Sequence, residues 1–294
     1  MSNFIDFDAW WNYQQPAQTA EKFAALLQQW AAGEKNEQYV CLLTQLARTQ
    51  SLQRNFTEAH HYLDQAAELM TDAMPLAKVR YGLERGRTFN SAQQKEPAIP
   101  LFEMAYQTAL SINETAFAVD AAHMLAIAMP STEQQLAWNH IAIDLAESST
   151  DPNAQQWLGS LYNNTAWTHF DMGDYERALS IFETALQWRQ DNHHSESTIF
   201  VARWSVARCL RALLRTQEAL AIQQSLCEEM TQHAQPDGYV YEELAECWAA
   251  LGDKATARPY YQLAHQYLSQ DAYLTTHEAE RIQNLWQKSQ EASD

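Results

Sequence analysis

The chain has 294 residues but only 7 Gly and 8 Pro, about 5% of the sequence against roughly 12% in an average globular protein. That shortage excludes a sandwich, a barrel or a wound α/β sheet, each of which needs many tight turns. Its 19 Lys and Arg against 37 Asp and Glu give a net charge of −18, so bulk attraction to nucleic acid or to an anionic membrane surface is not expected. A hydrophobic fraction of 46%, with 10 Trp and 13 Tyr, supplies a sizeable core and excludes a disordered chain. The four cysteines, Cys41, Cys209, Cys227 and Cys247, are widely scattered with no CxxC pair, which argues against a zinc ribbon or a disulfide framework. The chain opens without a basic, apolar leader, and no stretch approaches 18 uninterrupted apolar residues. The expectation is a soluble cytoplasmic protein with reduced thiols and no cofactor.

Residues 1–37 read as an N-terminal helical cap carrying Trp10, Trp11, Phe23, Leu26, Leu27 and Trp30. This aromatic segment could equally serve as a homodimer surface. From about residue 38 to 270 helical segments alternate with punctuation roughly every 20 residues, at Met74-Pro75, Pro130, Asp151-Pro152, Gly173-Asp174, Gln235–Gly238 and Gly252-Asp253. Alanines at 59, 98, 137, 178, 219 and 257 are separated by 39, 39, 41, 41 and 38 residues. Twelve residues before them stand Ala47, Gly86, Ala166, Ala207 and Ala245, and four residues after them stand Leu63, Phe102, Ile141, Phe182, Gln223 and Tyr261. Small residues at both positions let two helices cross closely, and a bulky group one turn on fills the space beside the crossing. The third unit departs, with Leu125 at the small position and Ala126 beside it, which predicts a turn one residue shorter around Pro130. Only the fourth and sixth units carry a turn glycine, Gly173 and Gly252. Residues 271–294 read as a C-terminal capping helix and tail. Breaks this frequent exclude a coiled coil, whose heptads run on for several turns.

The clearest unit runs from Asn163 to Leu186, with Ala166, Gly173, Tyr175, Ala178, Phe182 and Ala185 at its key positions. It resembles the tetratricopeptide repeat. Separations above that family's usual 34 residues, and the Asn163-Asn164 pair, are similar to the long kinesin-light-chain-like repeats. The resemblance implies an all-α fold, a right-handed α-solenoid of about six helix-turn-helix repeats between capping helices. It also implies a concave wall built from the first helix of each repeat, used to bind a peptide of a partner protein. On that wall helical spacing aligns Arg80, Glu84 and Arg87 in the second repeat, and Trp204, Arg208, Arg211 and Arg215 in the fifth. The first repeat adds Arg48, the fourth adds Asn163, Asn164, Trp167 and Phe170, and the sixth adds Tyr239, Glu242, Glu243 and Glu246. Asn164 matches the wall asparagine of peptide-binding repeats. The lysines and asparagines that clamp a C-terminal carboxylate in chaperone-binding members are absent.

Guanidinium groups offer planar, bidentate donors to carboxylates and phosphates, and Trp and Asn add stacking and main-chain hydrogen bonds. The expected site is therefore Arg48, Arg80, Arg87, Asn163, Asn164, Trp167, Trp204, Arg208 and Arg211, lining a groove for a peptide with acidic groups. On this reading the protein is a non-catalytic scaffold or adaptor, and Arg208→Glu with Arg211→Glu should leave helicity and melting unchanged while abolishing partner capture. A ligand-responsive regulator is the alternative. An enzyme is the least favoured reading: the chain lacks GxGxxG, P-loop and GxSxG motifs, and His277-Glu278 has no second histidine at HExxH spacing. The adjacent pairs His60-His61 and His193-His194 point apart on a helix or lie in a loop, and no metal site is expected.

Overall fold

Polar caps set where many of the helices begin. The side chains of Asn36, Ser131, Ser195, Asp237 and Asp253 each accept a hydrogen bond from a backbone N–H in the first turn that follows, satisfying donors that the helix itself leaves orphaned. In the computed structural model, which describes residues 5–291, the elements between these caps are all helical. A short 3-10 turn, Asp8–Trp10, precedes α1 (Pro16–Gln29), α2 (Glu37–Leu52), α3 (Phe56–Leu69), α4 (Pro75–Ser91), α5 (Lys95–Ser111), α6 (Thr115–Ala128), α7 (Thr132–Ser148) and the single turn α8 (Pro152–Gln155). There follow α9 (Leu158–Asp171), α10 (Tyr175–Asp191), α11 (Glu196–Ala212), α12 (Thr216–Gln232), α13 (Gly238–Ala250), α14 (Lys254–Leu268), α15 (Ala272–His277) and α16 (Ala279–Gln290). Among the described residues there is no strand, and no helix is long and apolar enough to cross a membrane.

The chain divides into two compact units, Met1–Leu161 and Tyr162–Asp294, with the boundary inside α9. In the first unit α2/α3, α4/α5 and α6/α7 form successive antiparallel pairs, and α2, α4 and α6 lie side by side. In the second unit the pairs are the C-terminal part of α9 with α10, then α11/α12 and α13/α14, and α16 covers α14. The spacing of small residues has the expected cause. Ala47, Ala166, Ala207 and Ala245 are fully buried, as are Ala59, Ala98, Ala178 and Ala219. At Gly86 an added Cβ would stand 2.4 Å from Cε1 of the buried Phe102.

The turns inside the repeats share a geometry that glycine content understates. Arg54, Gln93, Gly173, Leu214 and Gly252 all adopt positive φ, and each stands five residues before its repeat's alanine. In every case the next residue's N–H reaches back to a carbonyl five positions earlier: Asn55 to Gln50, Gln94 to Phe89, Asp174 to His169, Arg215 to Leu210 and Asp253 to Trp248, all at 2.9–3.0 Å. This is the Schellman closure. It holds Arg54, Gln93 and Leu214 in the left-handed region without glycine.

The third repeat corrects the sequence register. Ala137 is exposed, and the buried position is Asn139, followed by Ile143 and Ala146 at the same four- and seven-residue intervals. The connection is not shortened: Met129–Ser131 keeps three residues, as in the other repeats, but Met129 and Ser131 are extended. Pro130 cannot donate the N–H that a Schellman closure needs, so Ser131 starts α7 as an N-cap instead.

Candidate functional site

The expected site residues fall into two clusters, one in each unit. In the first unit the inner helices α2, α4 and α6 enclose a cavity of about 350 Å³. Its polar lining comes from Arg48 of α2, from Arg80, Glu84 and Arg87 of α4, and from Asp120 of α6. The N-terminal segment contributes Asp8 and Tyr13, and the turn after α8 contributes Gln156 and Trp157. Phe7 fixes the N-terminal segment: it is fully buried and meets Phe23 edge-on at 6.0 Å. Trp11 donates from Nε1 to Oε1 of Gln45 at 2.8 Å. Phe7 and Trp11 are thus turned onto Phe23 of α1 and onto α2, leaving Trp10 and Tyr13 exposed.

The arginines of this cavity are not alike. Arg87 donates to Glu84 at 2.6 Å and with its other terminal nitrogen to both oxygens of Asp120. Burial works to lower its pKa, but Asp120 and Glu84 outweigh burial and hold the guanidinium above its ordinary value. Arg80 donates to Asp8 at 2.9 Å and lies 4.8 Å from the ring centroid of Phe117, a cation–π distance. Arg48 has only Glu84, with Nε 3.6 Å from Oε2, too far for a hydrogen bond. Burial pushes Arg48 below its ordinary pKa, against the pull of Glu84. Beyond the cavity wall the half-buried His123 packs on Trp157 with centroids 5.4 Å apart.

In the second unit α9 and α11 bring together Trp167, Phe170, Trp204 and Arg208. The guanidinium carbon of Arg208 lies 5.5–5.8 Å from the centroids of all three rings, and Trp204 in turn meets Tyr239 edge-on at 5.9 Å. Beneath them is Glu243 of α13, 1% exposed, which accepts two hydrogen bonds from Arg211 at 2.7 and 3.0 Å and one from Arg208 at 3.2 Å. Burial works to lower the pKa of Arg211, but its hydrogen bond to Glu243 and the negative charge of Glu243 and Glu246 together hold it above its ordinary value. Asn163 and Asn164 are half-buried on α9, four and three residues before Trp167 and so on its face. Their side-chain amides make no hydrogen bond among the described residues. Arg215 turns away to pair with Glu218. Glu242 is held by Arg281 of α16 and Glu246 by Lys288 of the same helix, so two of the acidic groups expected on the wall fasten the C-terminal helix.

Glu243 changes the outcome expected for charge reversal at Arg208 and Arg211. A carboxylate this deeply buried loses both partners and gains two like charges, a loss of several kcal/mol, so that double variant would not melt as the parent does. Asp8, Asp120 and Trp157 were not anticipated as site residues. Asp120 had a readable signal, because it is the only formally charged residue in α6, and a lone charge on an apolar helix needs a partner. Asp8 and Trp157 had none, since they reach the cavity from segments outside the repeat pattern.

Burial raises the thiols of Cys41 and Cys247 to about 12 and that of Cys209 to about 11, which keeps them protonated and unreactive. Among the described residues no group of three or more His, Cys, Asp or Glu could hold a metal ion.

Comparison with known proteins adds a family match over one segment and a likeness of fold. The tetratricopeptide repeat family matches residues 159–192. No curated protein matches the chain in sequence. Among solved structures, the apo form of RapI is similar over 96% of this chain and 84% of its own, at 14% identity and a TM-score of 0.72. The nearly identical TPR-like repeats of a Podosopora anserina putative kinesin light chain cover 69% of this chain and all of their own, at 15% identity and a TM-score of 0.56. A Rap protein complexed with Competence and Sporulation Factor covers 93% of this chain and 80% of its own, at 14% identity and a TM-score of 0.55. At these identities the likeness is one of fold.

Proposed function

We infer, because residues 159–192 match the tetratricopeptide repeat and the fold is similar to that of solved TPR-like repeats, that the chain is a protein-binding scaffold without catalytic activity. Its binding face is the aromatic and arginine cluster of the second unit, formed by Asn163, Asn164, Trp167, Trp204, Arg208 and Arg211. The observation that carries this reading is the state of Arg208. It makes a single hydrogen bond among the described residues, to Glu243 at 3.2 Å, while three aromatic rings hold its guanidinium in place. Its remaining terminal N–H groups are prepositioned donors for a partner carboxylate. The idle amides of Asn163 and Asn164 suit the main chain of an extended segment. A Rap protein of the same fold is known in complex with Competence and Sporulation Factor, which supports a ligand-binding use of the fold.

The partner is a protein segment with acidic side chains; nucleic acid is not expected for a chain of net charge −18. In the first unit Arg80 and Arg87 are engaged by Asp8, Glu84 and Asp120, so the peptide face excludes them; Arg48 lines the same first-unit cavity and is left out of this face with them. For a homodimer through the N-terminal segment, the exposed aromatic residues available are Trp10 and Tyr13.

The test uses substitutions that leave Glu243 paired. Asn163→Ala with Asn164→Ala, and separately Arg208→Gln, should keep the circular dichroism spectrum of the parent. Each should lose a partner that the parent captures from lysate. Unchanged capture by folded variants would overturn the assignment of this face.

A further inference from the structure

The cavity of the first unit differs from the peptide face in size, charge and state of its donors. At about 350 Å³ it lies near the lower end of ligand pockets, roughly 300–1,000 Å³. That is room for one residue-sized molecule and too little for an extended segment. Its ionised groups balance: Arg48, Arg80 and Arg87 face Asp8, Glu84 and Asp120. A bare anion or cation brought into a balanced set meets as much repulsion as attraction. A small molecule carrying both charges a few ångströms apart meets an opposite charge at each end.

The cavity also has one unspent group of each kind. Arg48 offers its planar fork of donors with no hydrogen bond to any described residue, its nearest acceptor being Glu84 at 3.6 Å. On the acidic side, Arg87 engages both oxygens of Asp120. Asp8 is spent on Arg80, through bonds of 2.9 and 3.5 Å, whereas Glu84 gives only Oε1 to Arg87 and keeps Oε2 buried with no hydrogen bond among the described residues. The apolar part of the lining is Leu83, Phe117 and Trp157.

We propose that this cavity binds a zwitterion of the free amino-acid class with an apolar side chain. Its carboxylate lies on Arg48, its ammonium group faces Oε2 of Glu84, and its side chain rests against Phe117 and Trp157. The site is separate from the peptide face and stands or falls independently of it.

Thermal shift and calorimetric titration of the full chain with L-leucine and L-phenylalanine test the assignment, with the N-acetyl and amide forms of each as probes that cancel one charge. The free amino acids should raise the melting temperature in a saturable manner, and both capped forms should fail. Arg48→Gln should weaken binding about tenfold or more, the loss of one charge-assisted contact. Gln156→Trp, which places a ring at the cavity mouth without touching an ion pair, should abolish binding and keeps the test intact if Arg48→Gln melts early. No response to either free amino acid up to millimolar concentration, equal binding of a capped form, or undiminished binding by folded Gln156→Trp would overturn the proposal.

Discussion

Gly86 sets two measurable effects against each other. Replacing it with alanine in the interior of α4 gains about 1 kcal/mol of helix propensity. The new Cβ would meet Cε1 of Phe102 at 2.4 Å and Cδ1 and Cζ at 2.7 Å, where carbon atoms ordinarily stand about 3.5–4.0 Å apart. The ring must retreat by about 1 Å, yet Phe102 is fully buried and packed among Val79, Leu83, Ala98 and Ala105. Overpacking costs about 1–3 kcal/mol, and a contact with three ring atoms belongs in the upper half of that range. The net effect of Gly86→Ala is a loss of about 1–2 kcal/mol, or roughly 2–8 °C in Tm for a unit of this size. Calorimetry on Gly86→Ala, on Phe102→Leu and on the pair gives the decisive quantity. With the ring gone the clash goes too, so the double variant should be more stable than the sum of the singles by about 1 kcal/mol or more. A Gly86→Ala protein as stable as the parent, or singles that simply add, would refute the close crossing as the reason for glycine here.

Two further outcomes follow from buried polar groups. Gln223 is fully buried with neither amide atom hydrogen-bonded among the described residues, so Gln223→Met, which keeps the volume and removes two unsatisfied groups, should stabilise the second unit by about 1–3 kcal/mol; a lower urea midpoint would count against this. Burial pushes the His123 imidazole below its ordinary pKa, as does Arg87, with Asp120 opposing. As pH falls through about 6.5 the unfolded chain takes up this proton before the folded one, so stability falls with pH until the folded pKa is passed. The Tm of His123→Gln should therefore depend less steeply on pH between about 5 and 7, and parallel curves would remove His123 from the account.

The sequence was most legible where packing dictates residue size. Ala59, Ala98, Ala178 and Ala219, with their partners at Ala47, Gly86, Ala166 and Ala207, stand at helix crossings as the repeat predicted, because only small side chains fit there. The third repeat was misread at Ala137 because alanine is also a common surface residue of helices, whereas the buried position is taken by Asn139. The arginines at 48, 80 and 87 were found by helical spacing, but their company was not. Asp120 comes from the next repeat and Asp8 from 72 positions before Arg80, so no local pattern links them. Spacing also made Glu243 look like a wall residue beside Arg208 and Arg211, when its carboxylate is buried beneath them.

The backward-reaching hydrogen bonds that close Arg54, Gln93 and Leu214 into positive φ bear on how such a chain can drift. A left-handed residue other than glycine costs roughly 1–2 kcal/mol. The packed helix pair on either side holds each turn in place against that cost. The turn is thus enforced from outside, and its sequence is free to wander as long as the crossing stays tight. A repeat of this kind can shed the glycine by which its relatives are known and keep its shape. The family match falls at residues 159–192, around Gly173, and the turns at Arg54, Gln93 and Leu214 keep the same closure without glycine.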